Sequence, residues 1–192
     1  MKSKERVLAA LRHEEPDRIP VDFGSTAVTG IHVLAVERLR EYYGLESHPV
    51  RVIEPYQMLG EVETDLMEAL QLDVIGLYPR NNMFGIPNNG DMKELKTFWG
   101  QTVLVPQHFN TTTDPEGNLL IHPEGDLDVP ASAKMPKAGY FFDAIIRQHP
   151  IREDKLDPED NLEEFNPVSE EDLAHWKKEA DKVRDTNHAV MA

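Results

Sequence analysis

The sequence predicts an α/β fold on three observations. Over the first 82 residues, apolar side chains at helical spacing alternate with short continuous apolar runs, the pattern of βα units around a parallel sheet. Between Thr97 and His122, β-favouring runs flank the turn-forming Asp114-Pro115-Glu116-Gly117, the pattern of antiparallel hairpins. Near the end, an amphipathic helix leads straight into a second apolar run, as a further βα repeat would.

The elements follow in order. Ser3 to His13 reads as a helix with Ser3 as N-cap and Val7, Leu8 and Leu11 as its apolar stripe, stopped by Glu14-Glu15-Pro16-Asp17. Arg18 to Gly24 reads as a short buried strand, and Ser25 to Gly30 as a polar connection. Ile31 to Tyr43 is a second helix with Gly44 beyond its end. Val50 to Ile53 reads as a strand, Glu61 to Leu70 as a helix and Asp73 to Tyr78 as a buried strand, followed by the loop Pro79 to Asn82. Residues 83–150 form a β-rich insertion. Its strands are expected at Thr97–Pro106, His108–Thr113 and Asn118–His122, its loops at Gly85–Asp91 and Pro123–Pro136, and a helix or extended flap at Ala138–Ile146. Residues 151–192 comprise an acidic connection, a helix and the next strand. Ser169 with Asp172 caps the helix to Val183, Leu173, Trp176, Ala180 and Val183 line it, and His188–Ala192 begins the strand.

Composition narrows the function classes. The 192 residues contain no cysteine, which excludes disulfides and thiolate metal ligands within the chain. No apolar run is long enough to span a bilayer and no signal peptide opens the chain, so a cytoplasmic protein without membrane contact is expected. The net charge of −15 repels phosphate backbones and anionic lipid, so nucleic acid is not an expected partner. From Ile151 to Asp185, thirteen acidic residues face six basic ones, the balance of a solvated surface or an acidic docking face.

Two stretches carry a family resemblance. Ser3-Lys4-Glu5-Arg6-Val7-Leu8-Ala9-Ala10-Leu11-Arg12-His13, followed by Glu15-Pro16-Asp17-Arg18-Ile19-Pro20-Val21, resembles the N-terminal signature of the uroporphyrinogen decarboxylase-like superfamily, which also contains cobalamin-dependent methyltransferases. Leu70-Gln71-Leu72-Asp73-Val74-Ile75-Gly76 is similar to a strand entry of that superfamily, with glutamine where glycine is usual. The resemblance implies the N-terminal part of a TIM (β/α)8 barrel carrying a β-hairpin-rich insertion, with the site at the C-terminal ends of the strands. Such a barrel takes about 250 residues, so the barrel is expected to be incomplete in this chain. Two departures bear on function. The arginine-containing stretch with which the decarboxylases grip substrate carboxylates aligns with Asp22-Phe23-Gly24-Ser25-Thr26, which has no arginine, and the central aspartate aligns with Arg80. Both argue against uroporphyrinogen as substrate.

Each candidate residue has a structural alternative. Asp22, at the end of the first expected strand, is a candidate general base or substrate acceptor, or a cap on the following loop. Arg80 is a candidate anchor for a carboxylate or phosphate, with Tyr78, Asn81 and Asn82 orienting the ligand; the alternative is loop structure. Thr29 and His32 sit where an anion could approach a helix N-terminus, and Glu54, Tyr56 and Gln57 could line the same mouth. His108 and His122 could start a metal site if the hairpin made them neighbours, but no third ligand is evident and the reading is of no metal site. The rings of Phe98-Trp99 and Tyr140-Phe141-Phe142 could cover a flat cofactor such as a corrinoid, or simply pack.

The expected function is corrinoid (cobalamin)-linked methyl transfer by a longer enzyme of which this chain is a part, inactive alone, acting on a small molecule and meeting a corrinoid protein. By resemblance, corrinoid and zinc would belong to that full-length enzyme, and this chain alone would hold neither. The alternatives are a decarboxylase or lyase for another carboxylated substrate, with Arg80 as anchor, and a non-catalytic module that self-associates through an open sheet edge.

Overall fold

The computed structural model describes residues 1–192 except 148–149, 151 and 158–166. The expected acidic connection lies partly outside the described residues. The architecture is mixed α/β: four helices and three separate sheets, with no closed barrel among the described residues. No helix is long and apolar enough to cross a membrane among the described residues.

Helix α1 (Ser3–Leu11) forms, but not on its expected face. Leu8 and Leu11 are exposed, whereas Arg6 and Ala9 are buried. The reason is Asp73, fully buried in the strand β3 (Val74–Gly76) entry, which draws Arg6 inward: Arg6 Nη1 donates to Asp73 at 2.5 Å, and Arg6 also binds Asp17 at 2.6 and 2.9 Å. Arg18 adds bonds of 2.7 and 3.1 Å to the same carboxylate.

Arg18 to Gly24 is not a regular strand, contrary to the sequence reading, and Ile19 is 82% exposed. Pro20 has no N–H to give a ladder. The segment is held extended beside β3 by one reciprocal exchange: Val21 N–H donates to the Asp73 carboxylate at 2.9 Å, and Asp73 N–H donates to the Val21 carbonyl at 2.8 Å.

Helix α2 (Val33–Tyr42) starts two residues later than its apolar pattern, because His32 Nδ1 caps it by accepting from Leu34 N–H at 3.2 Å. Strand β1 (Val50–Glu54) turns back into β2 (Leu59–Gly60). That pairing continues through Glu61, whose N–H donates to the Arg51 carbonyl at 2.8 Å, so helix α3 (Thr64–Ala69) is shorter than expected. Arg40, nearly buried, ties α2 to α3 through Glu63 and Asp65 at 2.8–2.9 Å.

The expected strand Thr97–Pro106 is instead two. Residues 97–101 are a turn, which Gly100 permits with its φ of +89°, and β4 (Met92–Lys96) pairs antiparallel with β5 (Thr102–Pro106). Because β5 also pairs parallel with β1, these strands extend the first sheet, in the order β2-β1-β5-β4. Strands β6 (Thr111–Thr113), β7 (Leu119–Ile121), β8 (Ala133–Met135) and β9 (Asp143–Ala144) make an antiparallel meander. The first two follow the predicted hairpin. β8 lies in an expected loop, and Ala138–Ile146 is extended, not helical. One core joins both sheets: Val33, Val36, Val50, Val52, Val103 and Val105 meet Phe109, Ile121, Met135 and Phe142.

Helix α4 (Glu170–Val183) begins at the Ser169 cap as expected, and β10 (Ala189–Met191) follows it, parallel to β3 with Val190 opposite Ile75. None of the residues in α4 is buried, and Leu173 of its apolar stripe is 52% exposed.

Candidate functional site

The C-terminal end of β3 is built by a close approach. Gly76 lies so near the backbone of Ser25 that a Cβ there would sit 1.9 Å from the Ser25 carbonyl oxygen. The strand therefore presses on the loop 22–29, and the loop is organised internally. Asp22 accepts from Ser25 N–H at 3.2 Å and from its hydroxyl at 2.5 Å, while Thr29 and Thr26 bond each other. Asp22 and Thr29 thus hold the loop shape at the rim of the mouth.

Tyr78 closes the other side by donating its hydroxyl to the Gly24 carbonyl. Burial pushes the phenol up to about 12, and the charges of Glu61 and Asp22 act in the same direction, so Tyr78 is a neutral donor at ordinary pH. Around it open two adjoining clefts of about 370 and 430 Å³, which share Glu61, Thr64, Gly76, Tyr78, Lys182 and Val183. Arg51, Asn88, Asn89, His175 and Glu179 line the smaller one. Its cations are paired within the chain: Arg51 faces Glu61 at 3.4 Å, and Lys182 faces Glu179 at 2.6 Å. His175 Nε2 donates to the Tyr78 carbonyl at 2.8 Å and Nδ1 accepts from Asn89 at 3.2 Å. The cleft is polar, of balanced charge and rich in neutral donors, suited to orienting a small polar ligand.

Arg80 stands beyond this mouth. Its carbonyl accepts from the buried Asn88 N–H at 2.8 Å, and its guanidinium holds Glu171 at 2.6 Å and Asp172 at 3.1 Å. Asn81 pairs with Pro87 across the following turn, and Asn82 caps that turn by accepting from Phe84 and Ile86 N–H at 2.9 and 3.2 Å.

The remaining candidates form a second group around the β1–β2 turn. Glu54 accepts from Tyr56 and Gln57 N–H, both at 2.8 Å, and the Tyr56 hydroxyl accepts from Ala144 N–H at 3.0 Å. His32 bonds the Tyr140 carbonyl at 2.9 Å and lies 5.1 Å from the Trp99 ring, which stacks on Tyr140 at 5.2 Å. Of the aromatic runs, Phe142 enters the core, whereas Phe98, Tyr140 and Phe141 remain 42–54% exposed.

The two hairpin histidines do not meet. The register sets Thr111 against Ile121, which aligns His122 with Asn110 rather than His108. His122 is buried between the Thr112 hydroxyl at 2.8 Å and the Val129 carbonyl at 2.7 Å. Among the described residues, no group of three potential metal ligands is assembled.

Sequence reasoning did not select Arg51, Glu61, Asn88, Asn89, His175 or Lys182. His175 and Lys182 reach the mouth only because α4 returns to β3 about a hundred residues on (97 separate His175 from Tyr78), and nothing in local spacing signals that. The structure defines a mixed α/β protein with a polar mouth at the C-terminal end of a parallel strand pair. No protein-family model, curated protein or solved structure matches the chain.

Proposed function

We propose that the chain is a uroporphyrinogen decarboxylase-like protein of the corrinoid-linked methyltransferase type, with its ligand-facing mouth at the C-terminal ends of β3 and β10, and that it represents the opening part of a TIM barrel. One observation carries the family reading. The two stretches on which the resemblance rests, far apart in sequence, converge on one ionic network in which Arg6, itself paired with Asp17, and Arg18 from the first bond the buried Asp73 from the second. The methyltransferase branch is favoured because loop 22–26 has no arginine and Arg80 stands where the decarboxylases carry an aspartate.

A corrinoid would supply the transferable methyl group. The exposed rings of Phe98 and Tyr140, beside Trp99, offer an apolar surface of the kind a corrin face would cover. The thiol-activating zinc of the family does not fit this chain, which has no cysteine and, among the described residues, no assembled ligand group. The chain's own residues would then bind and orient, without completing the reaction. With methylcobalamin, a small thiol and added zinc, the expected rate of demethylation equals the protein-free control. Turnover above that control, abolished by a chelator, would show that the chain holds a metal site after all.

A second reading, decarboxylation of another carboxylated substrate, is favoured by one observation: the Arg80 guanidinium already binds two carboxylates. It predicts metal-independent release of carbon dioxide that Arg80→Ala removes.

A further inference from the structure

Helix α4 is held on the β3 side by polar contacts at its first two turns. Glu171 and Asp172 grip Arg80, and His175 bonds the Tyr78 carbonyl and Asn89. None of its residues is fully buried, and of its apolar stripe Trp176 and Val183 are only half-buried, so limited apolar burial opposes its departure. Arg80 is 39% exposed at the side chain, and its backbone is pinned by Asn88, so the residue stays beside β3 if the helix moves.

We infer that the first turn of α4 is an internal competitor at Arg80, a carboxylate latch that an anionic ligand displaces. The inference rests on the second reading above, in which Arg80, standing beyond the mouth, is the anion anchor. Glu171 and Asp172 take Nη1 and Nε, so a carboxylate binding bidentately, through Nη2 and either of these, competes with one of them and meets the negative charge of both. Ligand arrival at Arg80 therefore weakens at least one of the two contacts that α4 makes there and loosens the helix that carries His175 and Lys182 into the mouth. Binding and opening are thermodynamically linked: whatever weakens the latch tightens the ligand.

Glu171 is the residue to test, because its side chain is 74% exposed and bonds only Arg80 among the contacts described, whereas Asp172 also serves the Ser169 cap. Succinate is the probe, its affinity measured by calorimetry and the state of α4 by hydrogen exchange of its amides. Glu171→Gln is expected to tighten succinate about two- to fivefold, the range of an exposed ion pair. Succinate is expected to speed exchange in α4 of the unmodified chain, as should Arg80→Ala without ligand. Raised ionic strength should also loosen the helix, since the pair is screened. If succinate binds through Arg80 but Glu171→Gln leaves its affinity unchanged and α4 exchange does not respond, the latch is wrong and the anchor stands. If succinate does not bind, or still binds to Arg80→Ala, both anchor and latch fall.

Discussion

Replacing Asp73 by alanine is expected to lower the unfolding free energy by about 3–5 kcal/mol, the cost of removing one partner from a buried ionic cluster. The carboxylate has no exposed surface and takes bonds from Arg6, Arg18 and the Val21 N–H. Without it, Arg18 loses both carboxylate bonds, Arg6 keeps only Asp17 as an ionic partner, and the segment before the Ser25 loop loses its tie to β3. Urea unfolding followed by circular dichroism should show the midpoint falling by roughly 1–3 M. The pH dependence follows from the same group. Burial works against the charged form, but the Val21 N–H, the Ser3 hydroxyl and the two guanidinia outweigh it and hold the pKa below its ordinary 3.8. A carboxylate depressed on folding contributes its full stabilisation above the unfolded value and loses it as pH falls through the folded one. Stability should therefore decline below about pH 4, and Asp73→Ala should decline less steeply there. An unchanged acid slope would mean that Asp73 is not the group titrating.

Gly76→Ala is the second large effect expected. The added methyl meets the Ser25 carbonyl oxygen at 1.9 Å and its carbon at 2.6 Å, both backbone atoms that no rotamer change can move. Overpacking costs about 1–3 kcal/mol where side chains can shift, so this substitution belongs at or above the upper end. It should also push loop 22–29 off the strand and break the bond from Tyr78 to Gly24, which the tyrosine ring resonances would report. Gly44→Ala supplies the comparison. Nothing lies within 4 Å of a Cβ there, and only its φ of +66° is strained, at a cost of about 1–2 kcal/mol. Equal losses at the two positions would remove the argument from close approach.

Where local pattern decides structure, the sequence was readable. The Ser169 cap, the Asp114–Gly117 turn between β6 and β7, and the run that became β10 all lie where residue chemistry places them. Long-range pairing was not readable. The Met92–Lys96 stretch is polar and gives no strand signal, yet β5 supplies a complete antiparallel ladder for it. The stripe on α1 pointed outward because a buried carboxylate outweighed two leucines, and periodicity does not register a salt bridge to a residue 67 positions away. The site shows the same division. Tyr78 was placed at the mouth by following the strand, whereas Glu54, Tyr56, Gln57 and His32 belong to the β1–β2 turn and its aromatic neighbours. The mouth is completed by α4, whose side chains only the fold brings there.

The most direct test of the functional reading is a titration of the chain with methylcobalamin, followed by quenching of tryptophan fluorescence and by the corrinoid spectrum. The account predicts saturable, one-to-one binding that is lost when Trp99 is replaced by alanine in a chain that still folds. Absence of saturable binding, or binding that Trp99→Ala leaves intact, would contradict it.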